Sequence, residues 1–95
     1  MILSFRDKAT ERLYRGERAP RFEAFRRQAE KRLRILESAD HLLTLMRMPS
    51  NRFEALGGDR KGQYSIRINE QWRLCFRWPE GEAGPSDVEI VDYHR

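Results

Sequence analysis

Tyr64-Ser65-Ile66-Arg67-Ile68-Asn69-Glu70-Gln71-Trp72-Arg73-Leu74-Cys75-Phe76-Arg77-Trp78 is the stretch that decides the fold. Tyr64, Ile66 and Ile68 alternate with Ser65 and Arg67, and Trp72, Leu74, Phe76 and Trp78 alternate with Arg73, Cys75 and Arg77. A period of two marks two half-buried strands. The loop between them sets the register, because residues directly opposite each other share a sheet face. A two-residue loop at Asn69-Glu70 would set Ile66 against Arg73. A three-residue loop, Asn69-Glu70-Gln71, pairs Ile68 with Trp72, Ile66 with Leu74 and Tyr64 with Phe76. It also places Arg67 opposite Arg73 and Ser65 opposite Cys75. Like charges in that position repel. Their repulsion needs an offset: a carboxylate such as Glu89 on the last strand, or the phosphate of a nucleic acid.

Outward from this hairpin, Ile2 to Phe5 reads as a first strand and Asp7 to Arg15 as a short helix capped by Asp7. Gly16 and Pro20 stop it. Over Arg21 to Ala39, Phe22, Phe25, Ala29, Leu33 and Leu36 draw one helical stripe. Glu23–Arg27 and Glu30–Arg34 are spaced as attractive pairs. A turn runs through Met46, and a short strand lies around Phe53 to Leu56. Gly57-Gly58-Asp59-Arg60-Lys61-Gly62 lacks the spacing of a nucleotide-binding loop and reads as a basic loop at a sheet edge. Pro79 to Ser86 is a breaker-rich loop. Asp87 to Tyr93 is the last strand, with Val88 and Ile90 on the core side. Helices followed by a strand meander predict an α+β fold with the helices on one sheet face.

Composition bounds the function. Ninety-five residues allow one domain, 1–95. No apolar run is long enough to span a membrane, and charge from Arg6 onward predicts no secretory leader. One cysteine and two histidines offer no disulfide framework and no structural metal site. No cofactor is called for, and a cytoplasmic protein is expected. Lys+Arg number 19 against 15 Asp+Glu, and 16 of the 19 are Arg. Arginine suits bidentate phosphate contact, so polyanions are the first partners to consider.

The open sheet face is expected to carry Arg67, Arg73, Arg77 and Tyr93, with Asp92 and His94 at its end. RNA cleavage without a metal needs a base, an acid and cations for the phosphorane. His94 suits either proton role near neutral pH. Asp92 is a base or an orienting group for His94, Arg73 and Arg67 hold phosphate, and Tyr93 stacks on a base or donates a proton. Strand parity puts Asp92 and His94 on the core side, so a twist or bulge at the strand end is expected to bring them round.

The chain resembles HigB-type toxins (plasmid-maintenance or host-killer proteins) of the RelE/ParE superfamily. The resemblance rests on Ile2-Leu3-Ser4-Phe5-Arg6-Asp7-Lys8, on Leu56 through Asn69, on Gln71 through Trp78, and on Val88-Glu89-Ile90-Val91-Asp92-Tyr93-His94. It implies a small microbial-ribonuclease-like fold, with an N-terminal strand and helices on one face of a curved, mainly antiparallel sheet. It implies cleavage of translated mRNA in the bacterial ribosomal A site. It also implies neutralisation by a HigA-like helix-turn-helix antitoxin, whose complex with the toxin binds operator DNA. The matched catalytic positions are Arg73, Asp92, Tyr93 and His94. The family pattern has a His-Pro and a Lys where this chain has Glu54, Ala55, Leu56 and Gly57. Glu54 is then the substitute base, and Arg60 or Lys61 the substitute cation. The alternative implied by the superfamily is a ParE-like toxin that inhibits DNA gyrase by binding. A nucleic-acid-binding module using the arginine face alone is a third.

Overall fold

The computed structural model describes residues 1–93. Four antiparallel strands form a meander in the order β1 (Glu54–Ala55), β2 (Gln63–Arg67), β3 (Trp72–Arg77) and β4 (Ser86–Asp92). The predicted register of the central hairpin is the observed one: Tyr64 faces Phe76, Ser65 faces Cys75, Ile66 faces Leu74 and Arg67 faces Arg73. The turn is held by Asn69, whose Oδ1 accepts from the Gln71 and Trp72 N–H groups at 2.9 and 2.8 Å.

Three helices cover one face: α1 (Lys8–Tyr14), α2 (Arg26–Ser38) and α3 (Leu42–Met46). Asp7 caps α1 as expected, accepting from Thr10 N at 3.2 Å. Thr10 in turn accepts from Ile90 N at 3.0 Å, which ties α1 to β4. Ala29, Leu33 and Leu36 of α2 pack with Leu13, Phe22 and Leu45 against Ile66, Leu74, Phe76, Val88 and Ile90.

Four local expectations change. The helix expected from Arg21 begins as a 3-10 turn, Pro20–Phe25, and becomes α-helical only at Arg26. Phe25 leaves helical geometry there, and its ring stacks on Trp72 at 4.9 Å while Phe22 meets the same indole edge-on at 5.7 Å. Arg26, not Arg27 or Arg34, pairs with Glu23 and Glu30, at 2.6 and 3.2 Å. The N-terminal strand is reduced to one parallel bridge, Phe5 to Val88. Pro85, which has no N–H to give, can only accept there, from Leu3 N at 2.8 Å. Gly84 is required beside it, because a Cβ would collide with the Met1 carbonyl.

The expected irregularity of the last strand lies at its start, not its end. Between Cys75 and Arg77 the pairing to β4 shifts register. Asp87, at φ 51, is the left-handed residue of that bulge, and its N–H donates to Ser4 Oγ at 2.9 Å. Beyond it β4 stays in register to Asp92, which faces Trp72.

Phe22 is fully buried between α2 and Trp72. Phe22→Ala should lower unfolding stability by about 3–5 kcal/mol, read as a shift in urea midpoint at unchanged slope.

Candidate functional site

The register leaves the face away from the helices polar. Glu54, Ser65, Cys75 and Glu89 form a row across the four strands, and Arg67, Arg73 and Val91 form the next row. Ser65 and Cys75 are nonetheless fully buried and Arg73 is only 9% exposed. Arg60, reaching in from the β1–β2 loop, donates to Gln63 Oε1 at 2.9 Å and to Glu89 Oε1 at 3.0 Å. Arg6 reaches the same Glu89 oxygen at 3.6 Å.

A buried cation requires partners, and Arg73 has them. Its Nε donates to Ser65 Oγ at 2.7 Å. One terminal nitrogen donates to the carbonyl of Arg52 and, at 3.4 Å, to that of Ser65. The Glu54 carboxylate lies 3.6 Å from Nε, and the Tyr93 ring lies 5.8 Å from the guanidinium carbon. The offset for the Arg67–Arg73 pair is therefore Glu54 on β1. Glu89 does not serve it, being committed to Arg60 and Arg6. Arg52 can present its carbonyl because it holds a left-handed conformation, φ 45 and ψ 48.

Arg73, Glu54, Tyr93 and Arg67 line one cleft of about 530 Å³, together with Arg52, Asn69 and Glu70. Four of the other sequence-predicted residues lie elsewhere. Asp92 faces Trp72 and accepts from Gln71 Nε2 at 3.0 Å, on the opposite side of the strand from Arg73. Arg60 is taken by Glu89, and Arg77 pairs with Asp87 at 3.6 Å. Lys61 is exposed on the loop that ends at Gly62. His94 lies outside the described residues. Arg52 was missed by sequence reasoning. Its only signal was the turn chemistry of Met48-Pro49-Ser50-Asn51 just before it.

Cys75 is not a nucleophile of this cleft. Burial pushes its thiol up from 9.0 to about 11, with Glu89 and Glu54 adding to the shift and Arg60 and Arg73 opposing it.

A small four-stranded meander with its helices on one face and an arginine cleft on the other defines the class: a RelE/ParE-type toxin fold. The YoeB/ParE toxin from Agrobacterium tumefaciens matches it at a TM-score of 0.54, with 19% identity over 99% of this chain and 98% of that one. The chain belongs to the HigB-like toxin family, the RelE-like toxins of type II toxin-antitoxin systems, whose model matches residues 3–94. Toxin HigB-1 from Vibrio cholerae serotype O1 is 39% identical over 85 residues, covering 87% of this chain and 90% of the relative. The chain is thus the toxin of a type II toxin-antitoxin pair and has an antitoxin as partner. These matches favour the HigB reading over the ParE-like alternative. No helix among the described residues is long and apolar enough to cross a membrane.

Between pH 9 and 11 the unfolded chain loses the Cys75 proton while the folded chain keeps it. Stability conferred by the buried neutral thiol is complete below pH 9 and falls as pH rises, by about 2–3 kcal/mol. Urea midpoints across that range should fall less steeply in Cys75→Ala than in the wild type.

Proposed function

We propose that this toxin is a ribosome-dependent, metal-independent mRNA endoribonuclease of the cytoplasm, acting as one unit over residues 1–95. The observation that carries the reading is Arg73, a buried guanidinium locked to the sheet, beneath Tyr93 and beside one carboxylate in an open cleft. Each role in RNA cleavage through the neighbouring 2′-oxygen then has a protein group.

Arg73, with Arg67 beside it, holds the non-bridging oxygens and stabilises the phosphorane. The Glu54 carboxylate, 46% exposed and loosely paired, leaves Arg73 when phosphate arrives and accepts the 2′-OH proton. The 2′-oxygen bonds to phosphorus, the bond to the 5′-oxygen breaks, and that oxygen takes a proton from an acid. The products are a 2′,3′-cyclic phosphate and a 5′-hydroxyl. His94, next in the chain after Tyr93, is the acid in this scheme. Tyr93 stacks on a base. Asp92 is a positioning residue for the chain end, and Lys61 contacts RNA at the margin. Arg60 and Arg77, held by Glu89 and Asp87, contribute positive potential.

Such a small site cannot orient a flexible strand by itself, and the ribosome supplies that proximity. The antitoxin in this reading is a HigA-like helix-turn-helix protein, through which the complex reaches operator DNA.

Arg73→Lys keeps the charge but loses the planar fork. Mapped mRNA cleavage after induced expression should drop about 100-fold in this variant, and His94→Gln should restore growth with antitoxin binding unchanged. Full cleavage by Arg73→Lys at wild-type expression would remove Arg73 from the site. Purified toxin should cleave naked RNA far more slowly than ribosome-bound mRNA; equal rates would make it a self-sufficient ribonuclease.

A further inference from the structure

The Arg73 cleft does not end at Arg67. A second depression of about 440 Å³ adjoins it, sharing Arg52, Arg67, Asn69 and Glu70, and its far wall is Gln28 and Arg32 of α2 with Ser50. Three guanidiniums, those of Arg32, Arg52 and Arg67, therefore line one trough.

Their setting separates them from the arginines held in ion pairs. Arg6, Arg15, Arg26, Arg60, Arg73 and Arg77 each stand within 4 Å of a carboxylate. Among the described residues Arg32, Arg52 and Arg67 make no such pair, although Glu70 lines the same trough. Arg32 is held without being neutralised. It donates to Asn51 Oδ1 at 2.8 Å and to Ser50 Oγ at 3.5 Å. Asn51 is fully buried and is itself anchored, donating through Nδ2 to the Leu45 carbonyl at 3.1 Å. Arg52 carries the left-handed backbone that turns its carbonyl onto Arg73, and its side chain is exposed between the two depressions. A strained residue, a buried anchor and three guanidiniums that have no carboxylate within 4 Å among the described residues thus converge on one polar groove, which Glu70 also lines. An anion placed there relieves their mutual repulsion.

We propose that this trough binds the phosphodiester next to the one held at Arg73. The RNA strand then runs from Tyr93 across Arg67 and Arg52 toward Arg32 on α2. The ligand is the backbone of single-stranded RNA, read by charge and without base identity. The inference rests on the reading that Arg73 holds the reacting phosphate.

The test compares 2′-O-methyl oligonucleotides, which cannot be cleaved, binding to purified toxin: a dinucleotide with one phosphodiester and a tetranucleotide with three. The affinity gained on lengthening should shrink about tenfold in Arg32→Gln. The slope of log affinity against log salt for the tetranucleotide should fall by about 0.7. Arg52→Gly tolerates the left-handed backbone and leaves the Asn51 anchor intact, so it should show the same losses even if Arg32→Gln is poorly folded. A length gain unchanged in both variants overturns the proposal. If Arg32→Gln then also weakens ribosome binding, the trough belongs to ribosomal RNA instead. Arg73→Gln separates the two readings. Loss of dinucleotide binding in it, with the length gain of Arg32→Gln intact, keeps the cleft and removes the trough. Undiminished dinucleotide binding in it removes the cleft reading, and the trough with it.

Discussion

The constraint on which the site depends is the burial of the Arg73 guanidinium in the polar face of the sheet. A cation at that depth is tolerable only when its hydrogen bonds are met and a counter-charge is near. Ser65 meets part of that need from the neighbouring strand, Arg52 supplies a backbone carbonyl, and Glu54 supplies the carboxylate. Each comes from a different place in the fold. The register of one hairpin, the left-handed turn before β1 and the pairing of β1 with β2 must all be right at once. Loss of a single partner from a buried ion pair costs about 3–5 kcal/mol in general, so this constellation couples the shape of the cleft to the integrity of the sheet.

Two carboxylates divide the polar face. Glu89 holds Arg60 and Arg6, drawing the β1–β2 loop and the N-terminal segment to β4. Glu54 holds Arg73 at the other end, but from a half-exposed position and at a longer distance. The first arrangement is closed and serves stability. The second is open on the carboxylate side only: Arg73 is buried while Glu54 is half-exposed, and in the proposed reaction an incoming phosphate takes the place of Glu54 beside Arg73. A face built from the same residue types therefore has a closed half around Glu89 and an open half around Glu54.

Much of this was legible in the sequence. The alternation from Tyr64 to Trp78, with its three-residue loop, determined the strands, their register and the Arg67–Arg73 juxtaposition, because parity leaves one pairing that keeps apolar side chains together. The Asp7 cap and the stripe through Leu33 and Leu36 likewise followed from local rules. The grouping of Arg73, Arg67 and Tyr93 on one face is a consequence of the same parity.

What parity could not supply is everything that depends on strands meeting across the chain. Glu54 and not Glu89 answers Arg73, because β1 folds back beside β2, and two isolated residues, Glu54 and Ala55, carry too short a pattern to announce that pairing. Asp92 stays beside Trp72 because the bulge that re-aims β4 falls at Asp87, where the N-terminal segment lies alongside the strand. Arg52 and Arg32 became visible only in three dimensions. One owes its role to a backbone angle and the other to a buried asparagine 19 positions away. Local periodicity and charge thus determined which residues share a face. Long-range pairing, which no local pattern encodes, decided which of them meet.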